Sequence, residues 1–140
     1  MGTYIGQPDI RQHVLHDFKL GRLDVVITSY ELFQREVELF CDLAWSCVFA
    51  DEVHRAKNEN SKTTDALHQL QCQLRFGLTG TLIQNSYEEM WTILDWTNPG
   101  RVGNKKQWKT YVGKPLTDGQ STNASDEKRA KSLVGRSCLG

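Results

Sequence analysis

The chain has 140 residues and a mass of 16.0 kDa, which suits roughly one domain, and its 39% hydrophobic fraction can fill a core. No apolar run reaches the length of a membrane-spanning helix, and Met1 to Ile10 holds neither a charged n-region nor an apolar h-region, so neither a span nor a secretory signal is expected. The net charge of zero would argue against a nucleic-acid binder, but it is a cancellation: residues 1–98 carry 8 basic and 14 acidic side chains, residues 99–140 carry 9 basic and 3 acidic.

A first helix is predicted from Asp9 to Leu20, with Ile10, Val14 and Phe18 at i, i+4 and i+8 and Gly21 as its C′ stop. Leu23 to Thr28 is a short β-branched strand. A second helix runs from about Glu31 to Leu43, with Phe33, Val37 and Phe40 on one face. Trp45 to Ala50 is the next strand. Ser61 caps a third helix carrying Ala66, Leu67 and Leu70, and Leu74 to Leu78 is a third strand. Ser86 and Glu89 form an S-x-x-E capping box for a helix that ends before Pro99. Asn98-Pro99-Gly100 is a strong breaker, and only 11 apolar residues follow it. Residues 1–98 therefore read as packed α/β structure. Residues 99–140 read as a polar, basic extension.

Strands alternating with helices indicate a parallel sheet flanked by helices, and near-continuous apolar strands suit a sheet covered on both faces. Such sheets bind ligands beyond the carboxyl ends of their strands. Three strand ends offer polar residues: Thr28-Ser29-Tyr30, Asp51-Glu52-Val53-His54, and Thr79-Gly80-Thr81 followed by Gln84-Asn85.

The second is the sharpest. Two adjacent carboxylates follow an apolar strand, where bare charge is costly unless paired or metal-bound. Asp51 can reach Mg²⁺ on a nucleotide's phosphates, often through water. Glu52 can polarise an attacking water as general base. His54 can hydrogen-bond the γ-phosphate region or a neighbouring strand end. The plain alternative is a solvated loop with a helix-capping Asp. Thr79-Gly80-Thr81 suits a tight turn that couples neighbouring sites, or an ordinary Gly turn. Thr28-Ser29-Tyr30 could offer hydroxyls and N–H groups to a nucleic-acid phosphate, or be a solvated strand end.

Val26 to Leu32, Asp51 to Asn58 and Leu78 to Asn85 stand in the order and spacing of motifs in the Swi/Snf-type ATPases, superfamily 2 helicase-like DNA translocases. The chain resembles that family over about residues 1–120, and most closely its Cockayne-syndrome-B-like (Rad26-like) DNA-repair branch. The resemblance implies a RecA-like lobe that uses ATP and Mg²⁺ and moves on double-stranded DNA in the nucleus, with nucleosomes or stalled transcription complexes as candidate substrates in chromatin remodelling or DNA repair. In it Asp51 and Glu52 match the Walker B pair, with Asp51 holding Mg²⁺ via water. His54 matches the last residue of the DEAH-type box. Thr79, Gly80 and Thr81 match the motif coupling hydrolysis to DNA movement, and Thr28, Ser29 and Tyr30 a DNA-backbone-contacting motif. The family often has Pro at the position of Leu82, a change expected to alter turn stiffness rather than chemistry.

A phosphate-cradling G-x-x-x-x-G-K-[ST] loop does not occur in the 140 residues. Gly100 to Lys106 is glycine- and lysine-rich, but its spacing is wrong and no apolar strand precedes it. The expectation is a partial first lobe: residues 1–98 as part of the ATP-binding domain, and 99–140 as a basic linker toward a second RecA-like lobe absent from the chain. Such a piece, a fragment or shortened isoform, is expected to bind ATP poorly, to hydrolyse none, and to expose an unpaired sheet edge. The alternative is a non-catalytic protein- or DNA-binding module.

In the basic extension, Lys105, Lys106 and Lys109 adjoin Trp108 and Tyr111, and Lys128, Arg129 and Lys131 follow. Interleaved basic and aromatic residues suit nucleic acid, and equally a solvated tail. Ser132 to Gly140 matches no motif. Cys41, Cys47, His68 and Cys72 could ligate zinc, but C-x₅-C is loose spacing and reduced thiols are the expectation. No G-x-S-x-G elbow supports a serine hydrolase.

Overall fold

A computed structural model describes residues 1–56, 58, 60–80, 87–119, 125, 128 and 130–133. Parallel strands and helices follow each other as the α/β reading expects. The chain divides into two compact units, Met1–Ser46 with Asn60–Gln73, and Cys47–Glu59 with Leu74–Gly140. Among the described residues no helix is long and apolar enough to cross a membrane.

In the first unit, β1 (Gly2–Tyr4) and β2 (Val26–Thr28) pair in parallel with Tyr4 opposite Thr28. β1 carries no sequence signature, because three residues are too few for an alternating pattern to register. Helix α1 (Pro8–Lys19) opens with proline, whose missing N–H costs nothing there, and stops before Gly21 at φ 68°. Its buried residues are Arg11 and Leu15, whereas the predicted Ile10 is exposed.

Arg11 is buried because it meets Glu36. Its Nη2 donates to Glu36 Oε1 at 2.6 Å and its Nε to Oε2 at 3.3 Å, a forked geometry suited to guanidinium and carboxylate. The Tyr4 hydroxyl also donates to Glu36. That hydroxyl, with Arg35 and Arg11, holds the Glu36 carboxyl below the usual carboxylate range despite its partial desolvation. Burial pushes the Tyr4 hydroxyl up. The predicted helix Glu31–Leu43 accordingly breaks at Glu36, φ −123°, into α2 (Tyr30–Arg35) and α3 (Val37–Cys41). Phe33 and Phe40 of its predicted face are buried. Ser61 caps α4 (Lys62–Gln69), accepting from the Thr64 N–H at 3.2 Å, and Ala66, Leu67 and Leu70 are buried.

In the second unit, β3 (Val48–Asp51) and β4 (Arg75–Leu78) pair in parallel, with Asp51 opposite Leu78. Arg75 reaches α5 (Tyr87–Thr97), donating to the Trp96 carbonyl at 3.3 Å. Ser86 of the predicted capping box lies outside the described residues. The expectation of strands covered on both faces is not met: Phe49 and Phe76 stack at 4.8 Å on an open face, 63% and 45% exposed, beside Leu78.

The polar extension expected after residue 98 differs from the structure at residues 105–119. There α6 (Lys105–Trp108), a π-helical turn (Lys109–Gly113) and α7 (Lys114–Gly119) run on continuously. Asn104 and Gln107 form a reciprocal capping box at the start. Trp108, Val112 and Leu116 recur at i, i+4 and i+8 and are buried with Met90. Composition hid this face, because three apolar residues among many polar ones lower the average without losing the helical period.

Candidate active site at a strand end

The site starts from the end of β3. After Asp51 the backbone turns through Glu52 at φ 49°, the one positive φ of a non-glycine residue among those described. A carboxylate-bearing residue held in this sparsely populated region costs of order ~1–3 kcal/mol and needs support from its surroundings. Its N–H donates to Asp51 Oδ1 at 2.9 Å. Next comes a 3₁₀ turn, Val53–Ala56, that buries Val53 and Ala56. Both ends of this turn are thus pinned, and the two carboxylates stay exposed at the strand's carboxyl end.

His54 is half-buried and ties two motifs together. Its Nδ1 lies 3.0 Å from Thr79 Oγ1 and 3.1 Å from Glu52 Oε2. A carboxylate only accepts hydrogen bonds. The geometry therefore suits a hydrogen on Nδ1, shared between Glu52 and Thr79. Thr79 and Gly80 follow β4 directly, one strand over from Asp51. Thr81 lies outside the described residues, as do Leu82, Gln84 and Asn85. The structure thus brings together Asp51, Glu52, His54 and Thr79.

Thr28, Ser29 and Tyr30 belong to the first unit, and two of their hydroxyls have duties in the fold. Thr28 donates to the Tyr4 carbonyl at 3.2 Å. Ser29 is the N-cap of α2 and accepts from the Leu32 N–H at 3.3 Å. Tyr30 is the first residue of α2, half-buried.

The acidic pair fits Mg²⁺ of one kind only. Among the described residues no three His, Cys, Asp or Glu side chains converge into a metal cage. An exposed strand-end carboxylate suits instead an ion that keeps several waters and shares itself with substrate phosphates. Three residues lie outside every motif read from the sequence. Arg11 and Glu36 build the first unit's buried ion pair, and no local pattern announces a partner 25 residues away. Gly77 sits inside β4, and an isolated glycine in a strand does signal close approach of another group.

The family model of the SNF2-related domain matches residues 2–137. The mouse DNA excision repair protein ERCC-6-like 2 is 33% identical over 112 residues, 80% of this chain and 7% of that protein. The rice DNA repair and recombination protein RAD54 is 37% identical over 115 residues, 79% of this chain and 11% of that protein. The Arabidopsis TATA-binding protein-associated factor BTAF1 is 34% identical over 136 residues, 97% of this chain and 7% of that protein. The repair branch picked out by the motifs is thus one of several at similar distance. The Sulfolobus solfataricus SWI2/SNF2 ATPase core, solved in complex with double-stranded DNA, superposes with a TM-score of 0.67 at 26% identity, covering 94% of this chain and 26% of that one.

Proposed function

Since the chain belongs to the SNF2-related domain family, we propose that it supplies the Walker B and coupling parts of a RecA-like lobe in an ATP-dependent translocase on double-stranded DNA, at work in the nucleus in chromatin remodelling or DNA repair. Residues 1–98 are then part of the ATP-binding domain, and residues 99–140 lead toward a second lobe. Nucleosomes or stalled transcription complexes are the candidate substrates.

One observation carries this reading: a single imidazole nitrogen stands within hydrogen-bond reach of both the Glu52 carboxylate and the Thr79 hydroxyl. Mg²⁺, when bound, neutralises charge on the phosphates. Asp51 would hold it, through water. Glu52, whose carboxylate is exposed at the strand end, takes the proton of the attacking water. His54 orients that carboxylate and passes its position to Thr79, so that hydrolysis and the segment after β4 move together. Thr28, Ser29 and Tyr30 meet the DNA backbone at the start of α2.

In the intact protein, Glu52→Gln should abolish DNA-stimulated ATP hydrolysis while DNA binding persists. Undiminished turnover overturns the reading. The 140 residues alone, without a phosphate loop, should show no DNA-stimulated ATPase. Turnover by the isolated chain that disappears in Glu52→Gln contradicts this second point.

A second reading, a non-catalytic binding module, is favoured by the exposed Phe49–Phe76 stack. Titration with a nonhydrolysable ATP analogue separates the two: saturable, Mg²⁺-dependent binding by the intact protein favours the enzyme.

A further inference from the structure

We propose that Gly77 is a positioning residue for the Asp51-Glu52-Val53-His54 turn: the bare backbone of β4 at this point is the floor on which Val53 rests, and Val53 sets where Glu52 and His54 stand. The inference rests on the active-site reading above and adds to it a residue that no motif contains.

Gly77 pairs with Ala50 across the β3–β4 ladder, one residue before Asp51 and two before Thr79. A methyl group built on Gly77 would stand 2.9 Å from Val53 Cγ1 and 3.3 Å from both Val53 Cβ and Cγ2. The first distance is inside van der Waals contact, so something must shift. Val53 cannot yield alone. Its β-branched side chain is stiff at χ1, and it is only 1% exposed. The 3₁₀ turn itself has to lift.

That turn is short, and both its neighbours carry the chemistry. Glu52 precedes Val53 in a left-handed conformation that has little latitude. His54 follows it and reaches Thr79 Oγ1 at 3.0 Å. N–H···O hydrogen bonds span about 2.7–3.2 Å, and a contact of about 3.6 Å is no longer one. A lift of half an ångström is therefore enough to uncouple His54 from Thr79 while both side chains remain present. Glycine's lack of a Cβ is the requirement here; its φ is ordinary, so backbone freedom plays no part.

The test reads His54 directly, on the 140-residue chain labelled with ¹⁵N-histidine and without nucleotide. His54→Gln assigns the Nδ1 resonance, and Thr79→Val records where it moves when the hydroxyl is lost. Gly77→Ala should move it at least half as far toward the Thr79→Val position, while a second, uniformly ¹⁵N-labelled sample shows the amide resonances of α5 (Tyr87–Thr97) unchanged. Val53→Ala removes the two crowding methyls, so Gly77→Ala made in the Val53→Ala background should move the resonance far less than it does in the wild type. An Nδ1 signal unmoved in Gly77→Ala, or moved as far by Gly77→Ala in the Val53→Ala background as in the wild type, overturns the proposal. Should Gly77→Ala give no folded spectrum, Val53→Ile crowds the same gap from the other side, and an Nδ1 signal that it leaves unmoved overturns the proposal. Because no nucleotide is present, this result stands apart from the Glu52→Gln hydrolysis test, and either can fail without the other.

Discussion

His54 Nδ1 approaches Thr79 Oγ1 to 3.0 Å although 25 residues separate them in the chain. The contact exists because β3 and β4 are neighbours in register, so that residues just past Asp51 and just past Leu78 emerge side by side. It joins the residue pair assigned to hydrolysis to the segment assigned to coupling.

Thr79→Val keeps the shape of the side chain and removes its hydroxyl. The lost hydrogen bond is worth about 0.5–1.5 kcal/mol of stability. In the intact protein, DNA stimulation of ATP turnover should fall severalfold with nucleotide affinity kept, and Thr79→Ser should restore it. Steady-state kinetics with and without DNA check this, and equal stimulation in Thr79→Val and wild type would count against the coupling role.

Ser29 has a role in the fold and a proposed role at DNA, and two substitutions part them. Ser29→Ala removes the α2 cap and should cost about 1 kcal/mol in a denaturant titration. Ser29→Gly should cost only about a few tenths of that, because glycine is itself a tolerable N-cap. If the hydroxyl touches a phosphate, both variants lose DNA affinity alike. Wild-type affinity in Ser29→Gly removes the contact.

The Tyr4 hydroxyl, above all, holds the Glu36 carboxyl of the folded chain below its ordinary value of 4.5. The unfolded chain therefore takes up the proton more readily than the folded one. The stabilisation is complete above about pH 4.5 and is lost as pH falls through the lower, folded value. The pH-dependent loss of stability on acidification should be smaller in Glu36→Gln than in wild type. Parallel acid-denaturation curves for the two proteins would show that Glu36 is not the linked group.

Leu116 is 1% exposed and packs with Met90, Trp108 and Val112. Leu116→Ala should lower unfolding free energy by about 2–5 kcal/mol through lost transfer energy and a cavity. A solvated tail would feel nothing, so a change within ±0.5 kcal/mol would remove residues 105–119 from the core.

Lys106 and Lys114 are exposed on the outer side of the same helical run, whereas Lys109 pairs with Glu88 at 2.8 Å. If this side lies on DNA, Lys106→Gln and Lys114→Gln should each flatten the salt dependence of binding by about one unit in the log–log slope. An unchanged slope assigns these lysines to solvent.

Much of this molecule was legible from residue order alone. Asp51-Glu52-Val53-His54 after an apolar strand, and Thr79 after the next, are local patterns, and local patterns survive in a linear text. So are Ser61 ahead of α4 and Gly21 behind α1, because a cap is decided within four residues. The α/β class and the motif order needed nothing more.

What tertiary structure alone decided depends on partners distant in sequence. Glu36 breaks a helix that its neighbours would continue, because Arg11 and Tyr4 reach it from α1 and β1. Trp108 and Leu116 are core rather than tail because Met90 lies opposite them. Gly77 matters because Val53 arrives from the adjoining strand end. Sequence determined which chemical groups stand at the strand ends; the parallel pairing of β3 with β4 decided which of them touch, since only register brings residues 25 positions apart within the reach of one hydrogen bond.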